Sequence, residues 1–442
     1  MKNSPLLAKP VWWLLLGIVS AGSMTYYVGQ IWSANQPPHF NDLYAPWWGA
    51  HELLRHGRNP YSPEVAHEIQ TVIYGAPAAS YSQDPSGIGG GFAYPPYIAL
   101  LLWPMAYISF SAAQKAFLLV SILGTLLNIV IWFRLARFRR SPQILLAATT
   151  FALGSFPVLQ AIKLQNPSLL AAFLIAITFF LLFTDHLVLA GAMLAVSTFK
   201  PQFMVALIPW LALWTLGDWR RRRPVAWSFI ASMFLLVGVS EWLLPNWISG
   251  FLGAVRAYRH YTYGHSLLDV WFTPTWGPIA AAFVLLAVLA LCWKHRWQAS
   301  DSPDFIVVTS LVLAATLVII PTLAPHAQIL LLPGILCLLQ SRTFPLPSPS
   351  PSPAGRLLRL VLAGTWTLLA WPWIAAFALL LAAVKFPARS LLRFWELPLY
   401  TSPVLPMALV FGLSCLLFRG GSGNNRGSGP PAASPNLTLP DF

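Results

Sequence analysis

The sequence predicts an all-α polytopic membrane protein. Hydrophobic residues make up 57% of the 442 positions and charged residues only 9%. Apolar runs of about 20 residues, long enough to cross roughly 30 Å of hydrocarbon, recur along the chain. The formal net charge of +14 arises from short basic clusters at the ends of those runs, which is the pattern of topology signals. No basic face with interleaved stacking aromatics is present, so nucleic acid is excluded as a partner and the lipid bilayer is the expected one.

Taken in order, the apolar runs lie at 11–33, 110–133, 143–162, 167–184, 187–199, 202–216, 225–244, 273–293, 304–320, 326–341, 355–382 and 402–418. They predict about twelve crossings, within a range of about 11–13. The first run follows Lys9, lacks a small-residue cleavage site and continues to about Trp32, so it reads as an uncleaved signal anchor. Segment 95–109 opens with Tyr94-Pro95-Pro96 and contains Pro104; it is short and proline-broken and is expected to be re-entrant or interfacial. Charge requires that choice. A full crossing there would put Arg134, Arg137, Arg139 and Arg140 outside the cell, against the inside preference of Lys and Arg.

In this scheme those arginines, Arg220 to Arg223, Lys294, Arg296, Arg342 and both termini are cytoplasmic. Arg55, Arg58, Arg256, Arg259 and Lys385 are outside. The chain divides into a membrane core over 1–341 with a first outer loop at 34–94, a Pro/Ser-rich cytoplasmic linker over 342–354, C-terminal membrane helices over 355–418 and a disordered cytoplasmic tail over 419–442. Cys292, Cys337 and Cys415 lie far apart in or beside apolar runs and read as packing residues. No internal repeat is visible.

Polar chemistry collects on the predicted outer side. Asp42 stands at the mouth of the first outer loop, followed by Leu43-Tyr44-Ala45-Pro46-Trp47-Trp48. It reads either as a helix N-cap or as a general base, since a partly desolvated carboxylate can take the proton of a sugar hydroxyl. It has no Asp-x-Asp partner, so a metal-gripping role is unsupported. Pro46 to Gly57 predicts a short amphipathic helix ended by Gly57 and the turn Arg58-Asn59-Pro60-Tyr61.

Lys200-Pro201-Gln202 sits at the turn of a short hairpin, below the outer interface, where a cation either snorkels or meets a lipid phosphate with Gln202 assisting. Lys163-Leu164-Gln165-Asn166-Pro167 also faces outward, and Lys163 is expected to snorkel. Arg256-Ala257-Tyr258-Arg259-His260-Tyr261 forms a basic and aromatic cluster suited to phosphate or sugar rings, or to lipid headgroups. Pro325-His326-Ala327-Gln328 opens a helix; His326 is either a satisfied interfacial residue or a group that stabilises departing phosphate.

These residues resemble the polyprenol-phosphate-sugar-dependent glycosyltransferases of family 87, within the GT-C superfamily. The likeness rests on Asn41-Asp42-Leu43-Tyr44, Leu53-Leu54-Arg55-His56-Gly57-Arg58-Asn59-Pro60-Tyr61, Phe92-Ala93-Tyr94-Pro95-Pro96, Gln165-Asn166, and Ala190-Gly191 through Thr198-Phe199-Lys200-Pro201-Gln202, over roughly residues 10 to 340. One departure is Leu164, where glycine is expected before Gln165.

The resemblance implies a GT-C fold with amphipathic jaw helices in the first outer loop. It implies a sugar, a hexose with mannose favoured, moved from a polyprenyl phosphate donor to a glycan or glycolipid acceptor outside the cytoplasmic membrane. Asp42 would be the base, and Lys200 and His326 would contact donor phosphate, with Arg259 as a further candidate. Gln202, Gln165, Tyr94, Tyr61 and His260 complete the expected substrate-binding set. Transfer is expected to invert the anomeric centre and to need no cofactor or metal. The rival readings are a lipid-linked sugar transporter or flippase, and an oligosaccharide ligase using a pyrophosphate-linked donor.

Overall fold

The computed structural model describes residues 8–34, 41–76, 86–262, 264–321, 324–341, 353–391, 394 and 403–423. Residues 342–352 of the Pro/Ser linker, most of the tail and Asp84 lie outside the described residues. Among the described residues every regular element is helical. The chain is a polytopic membrane protein, and the apolar runs fall on helices.

The first helix, α1, spans Ala8–Ala34. The loop that follows forms α2 (Tyr44–His56) and α3 (Pro63–Tyr74). Residues Tyr44, Trp47, Ala50 and Leu53 of α2 are buried at helical spacing, while Arg55 and His56 are exposed, so one apolar face packs inward. Gly57 ends α2 in the left-handed region at φ 62°, as the sequence predicts. The Asn59 side chain accepts from the Tyr61 backbone N–H at 2.9 Å and turns the chain into α3, whose first turn is capped by Ser62.

The proline-broken stretch forms two single turns, α4 (Ile98–Leu101) and α5 (Trp103–Ala106), rather than one crossing helix. Trp47 Nε1 donates to the Met105 carbonyl at 2.8 Å and His51 Nδ1 bonds to the Ala106 carbonyl at 2.7 Å. A four-residue helix leaves its last carbonyls without internal partners, and α2 supplies them.

The bundle follows: α6 (Phe110–Leu135), α7 (Pro142–Leu153), α8 (Phe156–Leu164), α9 (Ser168–Phe183), α10 (Leu187–Ser197), α11 (Leu207–Gly217) and α12 (Trp219–Leu243). Then come α13 (Trp247–Tyr261), α14 (Leu267–His295), α15 (Pro303–Ile319), α16 (Leu332–Ser341), α17 (Pro353–Lys385), α18 (Ala388–Leu391) and α19 (Val404–Gly423). Short 3-10 turns at Pro201–Met204 and Pro325–Leu331 precede α11 and α16. Three of the described helices, α6, α12 and α14, are long and apolar enough to cross a membrane. The pair α7 and α8, bent by 50°, makes a fourth if taken as one span. The expected figure of about twelve crossings therefore includes shorter apolar helices such as α9, α10 and α15 as well as these.

Helix α15 is buried at nearly every position from Phe305 to Val318 and forms the centre, packed by α11, α14, α16 and α19. Its all-round apolar sequence requires that place. By contrast α12 and α14 expose Trp227, Phe234, Trp242 and Phe283, apolar side chains that suit a hydrocarbon surround. α14 is kinked at Thr273 (φ 70°), just before Pro274, so its straight part begins where the sequence places the apolar run.

Candidate active site

The site is assembled from chain reversals at one end of the bundle. Helix α8 stops at Leu164, and Gln165 takes up the left-handed conformation at φ 48°. The strained position thus falls on Gln165 itself, and Leu164 needs no glycine-like freedom. The Leu164 carbonyl, left without a helical partner, accepts the backbone N–H of Asp42 at 3.0 Å. Asp42 does not cap α2, whose N-cap position is Leu43 with no side-chain bond. Its carboxylate Oδ2 instead accepts from Asn166 Nδ2 at 2.6 Å.

Asn166 is the hinge of the arrangement. Its Oδ1 accepts three bonds: the Ser168 backbone N–H at 2.9 Å, the Ser168 hydroxyl at 2.7 Å and Lys200 Nζ at 2.9 Å. An oxygen facing three donors fixes the amide orientation, so the amide nitrogen must face the carboxylate. Lys200 Nζ donates also to Ser168 Oγ at 2.8 Å and lies 5.7 Å from the Phe203 ring and 6.0 Å from the Tyr94 ring.

Lys200 is 4% exposed. It does not snorkel, whereas Lys163 is exposed. A cation in this setting costs about 2.5–3.5 kcal/mol on insertion scales, and hydrogen bonds to a charged group return roughly 1.5–3 kcal/mol each. Two such bonds bring the cost near balance, and the field of Asp42 adds to them. Pro201 explains why the lysine is here: a residue before proline is driven out of the helical region, and Lys200 sits at φ −110°, ψ 78°, between the end of α10 at Ser197 and the turn Pro201–Met204.

Asp42 is half-buried, and burial raises its carboxyl above the ordinary aspartate value, opposed by the Asn166 hydrogen bond and the Lys200 charge. Around it stand tyrosines. Tyr61 donates from its hydroxyl to the Tyr94 carbonyl at 2.6 Å, so Tyr61 positions the Tyr94 segment. Tyr74 of α3 and Tyr261 of α13 pack with ring centroids 5.8 Å apart, and Tyr74, Tyr94 and Tyr258 all sense the Asp42 charge. His326, half-buried in the turn Pro325–Leu331, lies within electrostatic reach of Lys200. Gln165 is buried beside Asn166 in sequence, and Gln202 is half-buried in the turn after Lys200.

Arg259 and His260 are exposed on α13, as is Tyr258, which feels the Asp42 charge, while Tyr261, three residues on, packs against Tyr74. Arg259 lies along Gly264 and the Pro321 carbonyl, since a Cβ at Gly264 would stand 3.3 Å from Arg259 Cγ and 3.0 Å from that oxygen. The site residues that sequence reasoning missed are Asn166 and Ser168. Asn166-Pro167-Ser168 is a helix-start signature, and its asparagine oxygen serves that purpose for α9.

A carboxylate that can accept a proton and an ammonium that can offset an anion are therefore held on the two ends of one fixed amide. The sequence model of glycosyltransferase family 87 matches residues 92–321, more than half of the chain. The chain belongs to glycosyltransferase family 87. The matched stretch of this family 87 member takes in Tyr94, Asn166, Ser168, Lys200 and Arg259, and Asp42 and His326 flank it. No curated protein and no solved structure matches the chain. The protein is a membrane-embedded glycosyltransferase.

Proposed function

We propose that this family 87 glycosyltransferase takes a hexose, mannose in first place, from a polyprenyl phosphate and passes it with inversion to a glycan or glycolipid on the extracytoplasmic face of the cytoplasmic membrane. The observation that carries this reading is the linkage of Asp42 to Lys200 through Asn166. The acceptor hydroxyl gives its proton to the Asp42 carboxylate as its oxygen forms the new bond to the anomeric carbon. The bond from that carbon to the donor phosphate breaks on the opposite face, and its electron pair leaves with the polyprenyl phosphate. Lys200 offsets the growing negative charge, and His326, which burial and the nearby Lys200 hold neutral, donates a hydrogen bond to it. Because a lysine ammonium supplies positive charge at this point, the proposed step routes no charge through a metal.

Asp42→Asn keeps the size of the side chain and the Asn166 contact while removing the base. In purified, folded enzyme given a polyprenyl phosphate mannose, it should lower the transfer rate by about 10²- to 10⁴-fold. A wild-type rate would remove the chemical basis of the reading. Release of free polyprenyl phosphate in step with product separates this transferase from a flippase, which would move the lipid-linked sugar intact. Failure with monophosphate donors and turnover with pyrophosphate-linked ones would favour the ligase instead.

A further inference from the structure

The C-terminal end of α2 gathers three groups that the proposed transfer does not use. His51, Glu52 and His56 each offer one ligand atom, and these atoms lie within 4.8 Å of one another. His51 Nδ1 stands 2.7 Å from the Ala106 carbonyl, which can only accept, so Nδ1 carries the proton and Nε2 carries the lone pair. That outer hydrogen bond is the one metal-ligating histidines make to fix their tautomer. The ring also packs against those of Trp47 at 5.3 Å and Trp48 at 5.2 Å. Glu52 is buried; its Oε2 takes Arg58 Nη1 at 2.7 Å, which leaves Oε1 as the candidate ligand. His56 is exposed at the end of the helix, its ring 5.5 Å from that of His51.

We propose that His51 Nε2, His56 and Glu52 form a binding site for a divalent transition metal of the zinc class, separate from the Asp42 centre. Two imidazole nitrogens and one carboxylate oxygen suit zinc, cobalt or nickel, whereas magnesium and calcium favour all-oxygen sets. Bonds of about 2.0–2.2 Å need the three atoms to draw together, and His56, exposed on two rotatable bonds, supplies the movement. Three protein ligands leave a position open to water. Occupancy ties the end of α2 to the Ala106 carbonyl of α5 through His51, and so steadies the helix that begins two residues after Asp42.

The test uses the full-length chain in detergent, with any affinity tag removed and bound metal stripped by a chelator. Titration with Zn²⁺ by calorimetry should show one ion per chain, undisturbed by excess Mg²⁺, and Co²⁺ should give the visible absorption of a low-coordinate site. Removing the exposed ligand by His56→Ala should weaken Zn²⁺ binding at least about 10-fold, and His56→Cys, which restores a zinc ligand, should recover it. His67→Ala, at an exposed histidine of α3, should leave binding unchanged. Absence of saturable uptake, displacement by Mg²⁺, or equal affinity in His56→Ala overturns the proposal. Because the readout is binding, the outcome is independent of whether the transfer reading stands.

Discussion

At the residue scale the decisive group is a neutral amide. Asn166 keeps a carboxylate and an ammonium apart while bonding both, so neither charge is quenched by direct contact. A direct ion pair would hold Asp42 ionised but would also occupy the oxygen needed for a proton. Since burial raises the Asp42 carboxyl and the Asn166 bond lowers it, Asn166→Ala should raise it further. The base works when ionised, so activity falls as pH drops through that value. The acid limb of kcat/KM should lie above the ordinary aspartate value of about 3.9 in the wild type and move to higher pH in Asn166→Ala. A pH–rate series on both enzymes checks this, and an unmoved limb would show that Asn166 does not tune the base. Asp42 and Lys200 are legible in the sequence because an acid and a lysine stand out in an apolar chain. The linking role of Asn166 is not, since an asparagine before Pro-Ser reads first as a helix start, and only the fold brings Lys200 onto the oxygen that Ser168 already bonds.

At the element scale, close approach of helices carries the architecture. Helix α10 lies against α12 so tightly that a Cβ at Gly191 would collide with the Val225 carbonyl and stand 2.8 Å from the Phe229 nitrogen. Backbone atoms cannot rotate away, so Gly191→Ala forces the helices apart, and overpacking of this kind costs about 1–3 kcal/mol. Gly238, exposed on α12 with nothing within 4 Å, provides the opposite case. There Gly238→Ala should be neutral or stabilising by up to about 1 kcal/mol, the helix-propensity difference. Thermal unfolding should come at lower temperature in Gly191→Ala and at the same or higher temperature in Gly238→Ala. The same tightness bears on function, because α10 ends at Ser197, three residues before Lys200. Helix α2 was legible from its spacing and Gly57, and the short turns α4 and α5 from their prolines. The dependence of α5 on Trp47 and His51 was not, since those bonds join segments that are remote in sequence.

At the scale of the whole molecule, charge is sorted to the two ends of the helices. Away from Asp42, Arg222 donates to the carbonyls of Trp214, Arg296 and Gln298, Arg137 to that of Asp301, and Gln340 to that of Arg137, while Arg221 pairs with Asp185. Helix α9 connects this end to the site: it begins at Ser168, which Lys200 touches, and ends at Phe183, two residues before Asp185. Its 16 residues span about 24 Å at 1.5 Å each. With the basic end cytoplasmic, Arg55→Cys on α2 should react with an impermeant maleimide in intact cells, and Arg223→Cys on α12 only after permeabilisation. The reverse pattern would turn the proposed orientation over. The sequence by itself determined the helical membrane character, the order of the helices and the two ionisable residues, because hydrophobic length, proline positions and isolated charges act locally and need no partner to be read. The tertiary structure decided which reversals meet: Leu164, Asn166 and Ser168 join Asp42 to Lys200, Tyr258 of α13 comes within the field of Asp42, and the C-terminal end of α2 gathers two histidines and a glutamate. Hydrogen bonds between distant segments depend on how helices pack, and packing is a property of all the side chains at once.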